Sequence, residues 1–149
     1  MTGFWRNWLM VWAASVAVFG IALMGTAFPA TEGPFRTLLA WIAGQDGMAM
    51  AQSERFAWAL CGAVTTGWAG TLVAALRGAW TLGDAGRPVW RLLTLSVVGW
   101  FVIDSSLSAA TGFERNALSN FVLLAAYLLP VWRSGVLRGG TPDAQPALR

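Results

Sequence analysis

Four apolar stretches, separated by short polar segments, organise the chain. They cover about residues 8–28, 56–76, 90–110 and 113–132. The first two hold no charged residue, the third is interrupted by Asp104, and the fourth is apolar beyond Asn120. A helix crossing a hydrocarbon core of ~30 Å needs about 20 such residues. Open sheet edges are not tolerated in lipid, so each stretch is expected to be a helix. The expected fold is all-α: an integral membrane four-helix bundle over residues 1–133, followed by a disordered cytoplasmic tail over 134–149. The triplet Gly25–Thr26–Ala27 has the small-residue spacing of a signal-peptide cleavage site. The apolar stretch before it exceeds the usual run of about 7–15 residues, so the first span is expected to stay uncleaved.

Between the first two spans lies a connection, Pro29 to Arg55, too long for a plain turn. Phe35, Leu38, Leu39 and Ile42 recur at i, i+3, i+4 and i+7, which predicts one apolar helical face. Pro34 suits a first helical position and Gly44 a stop, so a short helix is expected over 34–43. It would lie in the outer interface with Trp41 among the head groups, either as an anchor or as a lid over an externally open cavity. "GQDGMAMAQSE" then reads as a flexible link, with Ser53 as the N-cap of the second span.

Composition narrows the solvent and the chemistry. Of 149 residues, 56% are hydrophobic and 11% charged, against about 25% charged in soluble domains. There is no His and a single Cys, Cys61. That excludes His-ligated haem or metal, Ser–His and Cys–His catalytic pairs, internal disulfides and CxxC redox chemistry. No cofactor and no metal are expected. All ten basic residues are Arg, in a chain rich in Ala and Gly, a pattern that hints at a GC-rich bacterial genome and hence an inner membrane. The arginines are scattered around span ends and form no patch, so nucleic acid is not an expected partner. With the N-terminus inside, the inner segments hold Arg6, Arg77, Arg87, Arg91, Arg133, Arg138 and Arg149, and the outer ones only Arg36, Arg55 and Arg115. Such a bias orients short loops, which predicts both termini in the cytoplasm.

Small residues mark expected helix contacts. Gly62, Thr66 and Gly70 follow i, i+4, i+8 in the second span, with Ala63 and Gly67 as a second row. Ala13, Ala17, Ile21 and Gly25 form the matching row in the first. The two spans are expected to pack closely, the alternative being a homodimer face on the second.

The stretch "IDSSLSAATGFERNALSN", Ile103 to Asn120, carries the candidate chemistry. "TGFE" has a capping-box pattern, which lets the third span end near Ala110 and the fourth begin at once. Asp104 lies roughly 20 Å of helix rise beyond Arg91, in the outer half of a ~30 Å core. Asp104, Ser108 and Thr111 share one face of the third span, and Asn116 and Asn120 one face of the fourth. Folding the hairpin predicts a polar cluster of Asp104, Ser105, Ser108, Asn116, Ser119 and Asn120. Arg115 reaches toward it, and Thr65 or Thr66 joins from the second span. An acid at that depth costs about 2.5–3.5 kcal/mol unless paired or protonated. Two readings stay open: an interhelical clamp, or a ligand or proton site. The sequence reading favours binding of an amphiphile (a lipid or quinone) or a membrane-protein partner. The alternative is a small proton-coupled transporter using Asp104. An enzyme ranks below both, since no nucleophile–base pair can be assembled.

Trp100, Phe101, Asp104, Ser105, Ser108, Gly112, Asn116 and Asn120, with Pro130 closing the hairpin, fit the pattern W-F-x-x-D-[ST]-x-x-S-x-x-x-G-x-x-x-N-x-x-x-N. The pattern resembles that of small four-span proteobacterial membrane proteins of uncharacterised function. The similarity is best over the last two spans. It implies a four-helix inner-membrane protein and implies no activity.

Overall fold

A computed structural model describes residues 1–44 and 50–138. The described chain is all-helical. Helix α1 runs Gly3–Met24 and continues as a 3₁₀ turn, Gly25–Ala27; α2 is Gly33–Ala43 and α3 is Gln52–Thr81. A second 3₁₀ turn, Gly83–Gly86, leads into α4, Arg87–Ala110, and α5 is Glu114–Arg133. No strand occurs among the described residues. Residues 45–49 of the expected flexible link and the tail beyond Arg138 lie outside them.

Three helices, α1, α3 and α4, are long and apolar enough to cross a membrane. Helix α5 has 20 residues, enough for ~30 Å of rise. Its first two turns carry Glu114, Arg115, Asn116, Ser119 and Asn120, which lower its hydropathy below that of the others. The helices also run beyond the apolar stretches. Helix α1 starts at Gly3 rather than Trp8, and α3 extends from Gln52 to Thr81 rather than over 56–76. Polar residues at the ends of a span continue the backbone ladder, because hydropathy marks depth in lipid and not helix length.

Apolar side chains face both inward and outward. Leu9, Trp12 and Ala13 of α1 meet Leu72 and Leu76 of α3, Trp90 and Val97 of α4, and Tyr127 and Val131 of α5 in one core. On the outside, Val11, Val64, Leu95 and Phe121 are each more than half exposed. Helices apolar all round suit lipid rather than water.

Helices α1 and α3 approach most closely at Gly20 and Gly62. A Cβ on Gly62 would lie 2.5 Å from the Gly20 carbonyl oxygen and from the Met24 nitrogen. One on Gly20 would meet the Thr66 hydroxyl at 2.5 Å. The expected contact of the first two spans is therefore present, but its rows differ. Gly70 and Gly67 have nothing within 4 Å, and Ile21 is 56% exposed. Each step of four residues turns about 40° beyond a full circle, so a strict i+4 row drifts off the contact face within two steps. The buried residues of α3 follow alternating spacings instead: Gly62, Ala69, Leu72, Leu76 and Ala79. In α1 the corresponding row passes through Ala13, Val16 and Gly20.

Helix α2 forms as expected, with Pro in its first turn and Gly44 in the left-handed conformation at φ 68°. Phe35 is buried among Leu23, Met50 and Trp58, its ring centroid 4.9 Å from that of Trp58. The helix thus caps the C-terminal end of α1 and the N-terminal end of α3. The N-cap of α3 is Ala51 rather than Ser53, and Glu54 Oε2 accepts the Ala51 N–H at 2.8 Å. Past α5, Ser134–Arg138 forms a turn whose Val136 and Leu137 pack on the core. Residues 134–138 of the expected tail thus pack on the bundle, and the rest of that tail lies outside the described residues.

Candidate functional site

The α4–α5 hairpin is closed by backbone geometry. Gly112 adopts φ 81°, a conformation that costs glycine little. The Phe113 N–H reaches the Ser108 carbonyl at 2.8 Å and the Gly112 N–H the Ala109 carbonyl at 3.3 Å. This pair of bonds is a Schellman motif. The expected Thr111–Glu114 capping box is not formed: the Thr111 hydroxyl donates back to the Leu107 carbonyl at 2.8 Å. A glycine competent for positive φ makes the reversal without a side-chain cap.

The reversal lays Asn116 and Asn120 beside Asp104. Asp104 Oδ1 accepts an N–H from Asn116 Nδ2 at 2.9 Å and from Asn120 Nδ2 at 2.7 Å. The second Asn116 hydrogen goes to the Ser108 hydroxyl at 2.8 Å, and Asn120 reaches Ser105 at 3.4 Å. Ser108 in turn donates to the Asp104 carbonyl at 2.8 Å, one helical turn back. Asn120 is 5% exposed and Ser108 is also buried, whereas Asp104 is half-buried.

Every amide hydrogen of the two asparagines is turned toward α4. Their carbonyl oxygens and Asp104 Oδ2 therefore meet no donor among the described residues. None of these three oxygens is fully buried, so the site presents an accessible acceptor face beside one carboxylate. One turn of α4 before Asp104, Trp100 packs against Trp68 of α3, the rings tilted by 44° with centroids 5.6 Å apart. The arrangement is chemically suited to a hydrogen-bond donor or a small cation, the complement of an acceptor set.

Other expected members lie elsewhere. Arg115 donates to the Trp41 carbonyl at 2.8 Å, where it satisfies an orphan carbonyl at the C-terminal end of α2. Ser119 bonds the Arg115 carbonyl, Thr65 the Cys61 carbonyl and Thr66 the Gly62 carbonyl. Short hydroxyls inside a helix find their own backbone first. Among the described residues no group of His, Cys, Asp and Glu could hold a metal ion.

Three polar features escaped the sequence reading. Glu32 is buried, paired with Arg36 at 3.2 Å and, more closely, with Arg55. This trio ties α2 to the start of α3. Thr94 and Tyr127 link α4 to α5 at 3.0 Å. The third feature is at α5. Pro130 lies inside that helix and has no N–H, so the Ala126 carbonyl four residues earlier loses its helical donor. The Trp8 indole supplies one, at 2.8 Å, and Trp12 reaches the Leu123 carbonyl at 3.0 Å. A proline within an apolar stretch was the legible signal. It marks a carbonyl in search of a donor, and Pro130 does not close the hairpin.

Comparison with protein-family models, with curated proteins and with solved structures gives no match.

Proposed function

We propose that this chain is a small multi-pass protein of a bacterial inner membrane, with α1, α3, α4 and α5 as spans and both termini cytoplasmic. In this reading it binds the head group of an amphiphile, a lipid or a quinol, through the Asp104 cluster; a polar group on a membrane-protein partner is the competing occupant. The observation that carries the reading is the acceptor surplus at Asp104, Asn116 and Asn120. A pure clamp needs only the filled Oδ1. The unfilled oxygens select an occupant that donates hydrogen bonds.

Inclusion of α5 as a span is supported by its bonds to α4 at two depths and by its exposed apolar Phe121 and Val122. The arginine distribution supports the orientation. A phosphatase active only in the periplasm, fused after Arg138, should stay inactive; activity there would reverse the orientation.

Asp104→Asn tests the site. The new amide oxygen can still accept from Asn116 and Asn120, so the hairpin should survive while the charge and one acceptor are lost. Mass spectrometry of lipids and quinones co-purifying with wild type and variant reads the result. Loss of one species from the variant is expected, and identical profiles would sink the proposal.

The second reading is a proton-coupled carrier. It is favoured by a carboxylate that meets no cationic side chain among the described residues. In proteoliposomes under a pH gradient it requires a flux that Asp104→Asn abolishes.

A further inference from the structure

At the opposite end of the molecule from Asp104, the close of α5 forms a shallow concavity. Leu128, Val131 and Trp132 of α5 form one wall, and Gly135, Leu137 and Arg138 of the following turn form the other. The turn is fixed by backbone bonds. Gly135 takes φ 66°, Ser134 Oγ donates to the Pro130 carbonyl at 2.6 Å, and the Arg138 N–H reaches the Gly135 carbonyl at 2.9 Å. The chain is thereby folded back beside α5 and leaves a groove between them.

The groove is lined almost wholly by carbon, and its charge sits at the edge. Arg138 is exposed at the rim. The Arg133 guanidinium lies 5.7 Å from the ring centroid of Trp132, which is 62% exposed. Neither arginine has an ion pair among the described residues. An apolar slot with one cation at its rim and a second over its flanking Trp132 ring matches a molecule with a hydrocarbon chain and an anionic head. Residues 139–149, "GGTPDAQPALR", hold no apolar run that would fill such a slot.

The geometry points to a binding site for an anionic phospholipid, with one acyl chain in the groove and the phosphate between Arg133 and Arg138. Juxtamembrane arginines attract anionic lipid by an amount equivalent to about a fivefold preference each. The site is separate from the Asp104 cluster and belongs to whichever leaflet holds this end of the bundle.

The test uses the full chain, purified with phosphatidylglycerol and phosphatidylcholine of identical acyl chains, and native mass spectrometry of retained lipid. Wild type should retain phosphatidylglycerol preferentially. Arg133→Gln with Arg138→Gln should lower that preference by more than the about 25-fold that two unspecific surface charges account for. Leu128→Trp, which fills the groove, should lower retention of both lipids. Arg77→Gln with Arg91→Gln removes the same charge from the same end, away from the groove, and should lower the preference by about 25-fold at most. An equal fall in that control would overturn the proposal, because bulk surface charge would then suffice. Unchanged preference in the Arg133/Arg138 variant would overturn it too.

Discussion

Pro130 and Trp8 make a quantitative prediction. Replacing Trp8 by Phe keeps an aromatic ring but removes the donor to the Ala126 carbonyl. That carbonyl has no alternative within its own helix, because residue 130 has no N–H. An unsatisfied buried acceptor costs about 1–3 kcal/mol, and interhelical hydrogen bonds in membrane bundles average about 0.6 kcal/mol. Trp8 is partly exposed near the end of the bundle, so the low end applies, and about 1 kcal/mol is expected for Trp8→Phe. Pro130→Ala restores the missing N–H but leaves a small void, since Pro130 is fully buried; about 1–2 kcal/mol is expected for that loss of packing. The two losses should not add. With Ala at 130, the Ala126 carbonyl has an intrahelical donor and the indole becomes dispensable. Trp8→Phe should then cost only about 0.3 kcal/mol or less, a coupling of roughly 0.7 kcal/mol or more. Equilibrium unfolding of the four proteins in mixed micelles measures the cycle. Strict additivity would refute the assignment of Trp8 as the substitute donor.

The glycines of α3 should separate cleanly. A Gly62→Ala methyl would have to move from 2.5 Å to about 3.4 Å from backbone of α1, so a loss of about 1–3 kcal/mol is expected. Gly70→Ala, in open space, should be neutral or stabilising by up to about 1 kcal/mol through helix propensity; similar melting temperatures for the two would contradict the contact. Glu32→Gln should leave Arg55 without its counter-charge and loosen α2, seen as faster proteolysis between Ala43 and Gln52. A cleavage rate equal to wild type would show that the Glu32–Arg55 pair does not hold that helix.

Much of this architecture is written in short-range patterns. Residues 34–43 declare a helix because Pro34, Gly44 and the apolar spacing agree. Asp104, Ser108, Asn116 and Asn120 are legible as a cluster because helical periodicity and one tight reversal suffice to bring them together. What was lost required knowing how helices are placed relative to one another. Glu32 pairs with Arg55, 23 residues away in sequence, a contact that no short-range pattern shows. Arg115 was free to point down its own helix or out to α2, and only the position of Trp41 decides. The i+4 glycine row was read as straight, although a straight row cannot follow a neighbour for long. The Thr111–Glu114 pattern competed with Gly112, whose positive φ ends α4 first.

The close seat of Gly62 against Gly20 bears on how the protein is made. Helix α1 packs most extensively on α3, and α4 on α5, so each pair is formed by neighbouring long segments of the chain. The first pair can lock, backbone against backbone, while the ribosome is still translating the second. Its steric key needs nothing that comes later. The second pair brings its own polar fastening at Asp104 and meets α1 through the indole hydrogens of Trp8 and Trp12, which reach carbonyls of α5. Assembly can therefore proceed in the order of synthesis. A bulky residue at position 62 would be felt at the first step, before the candidate site exists.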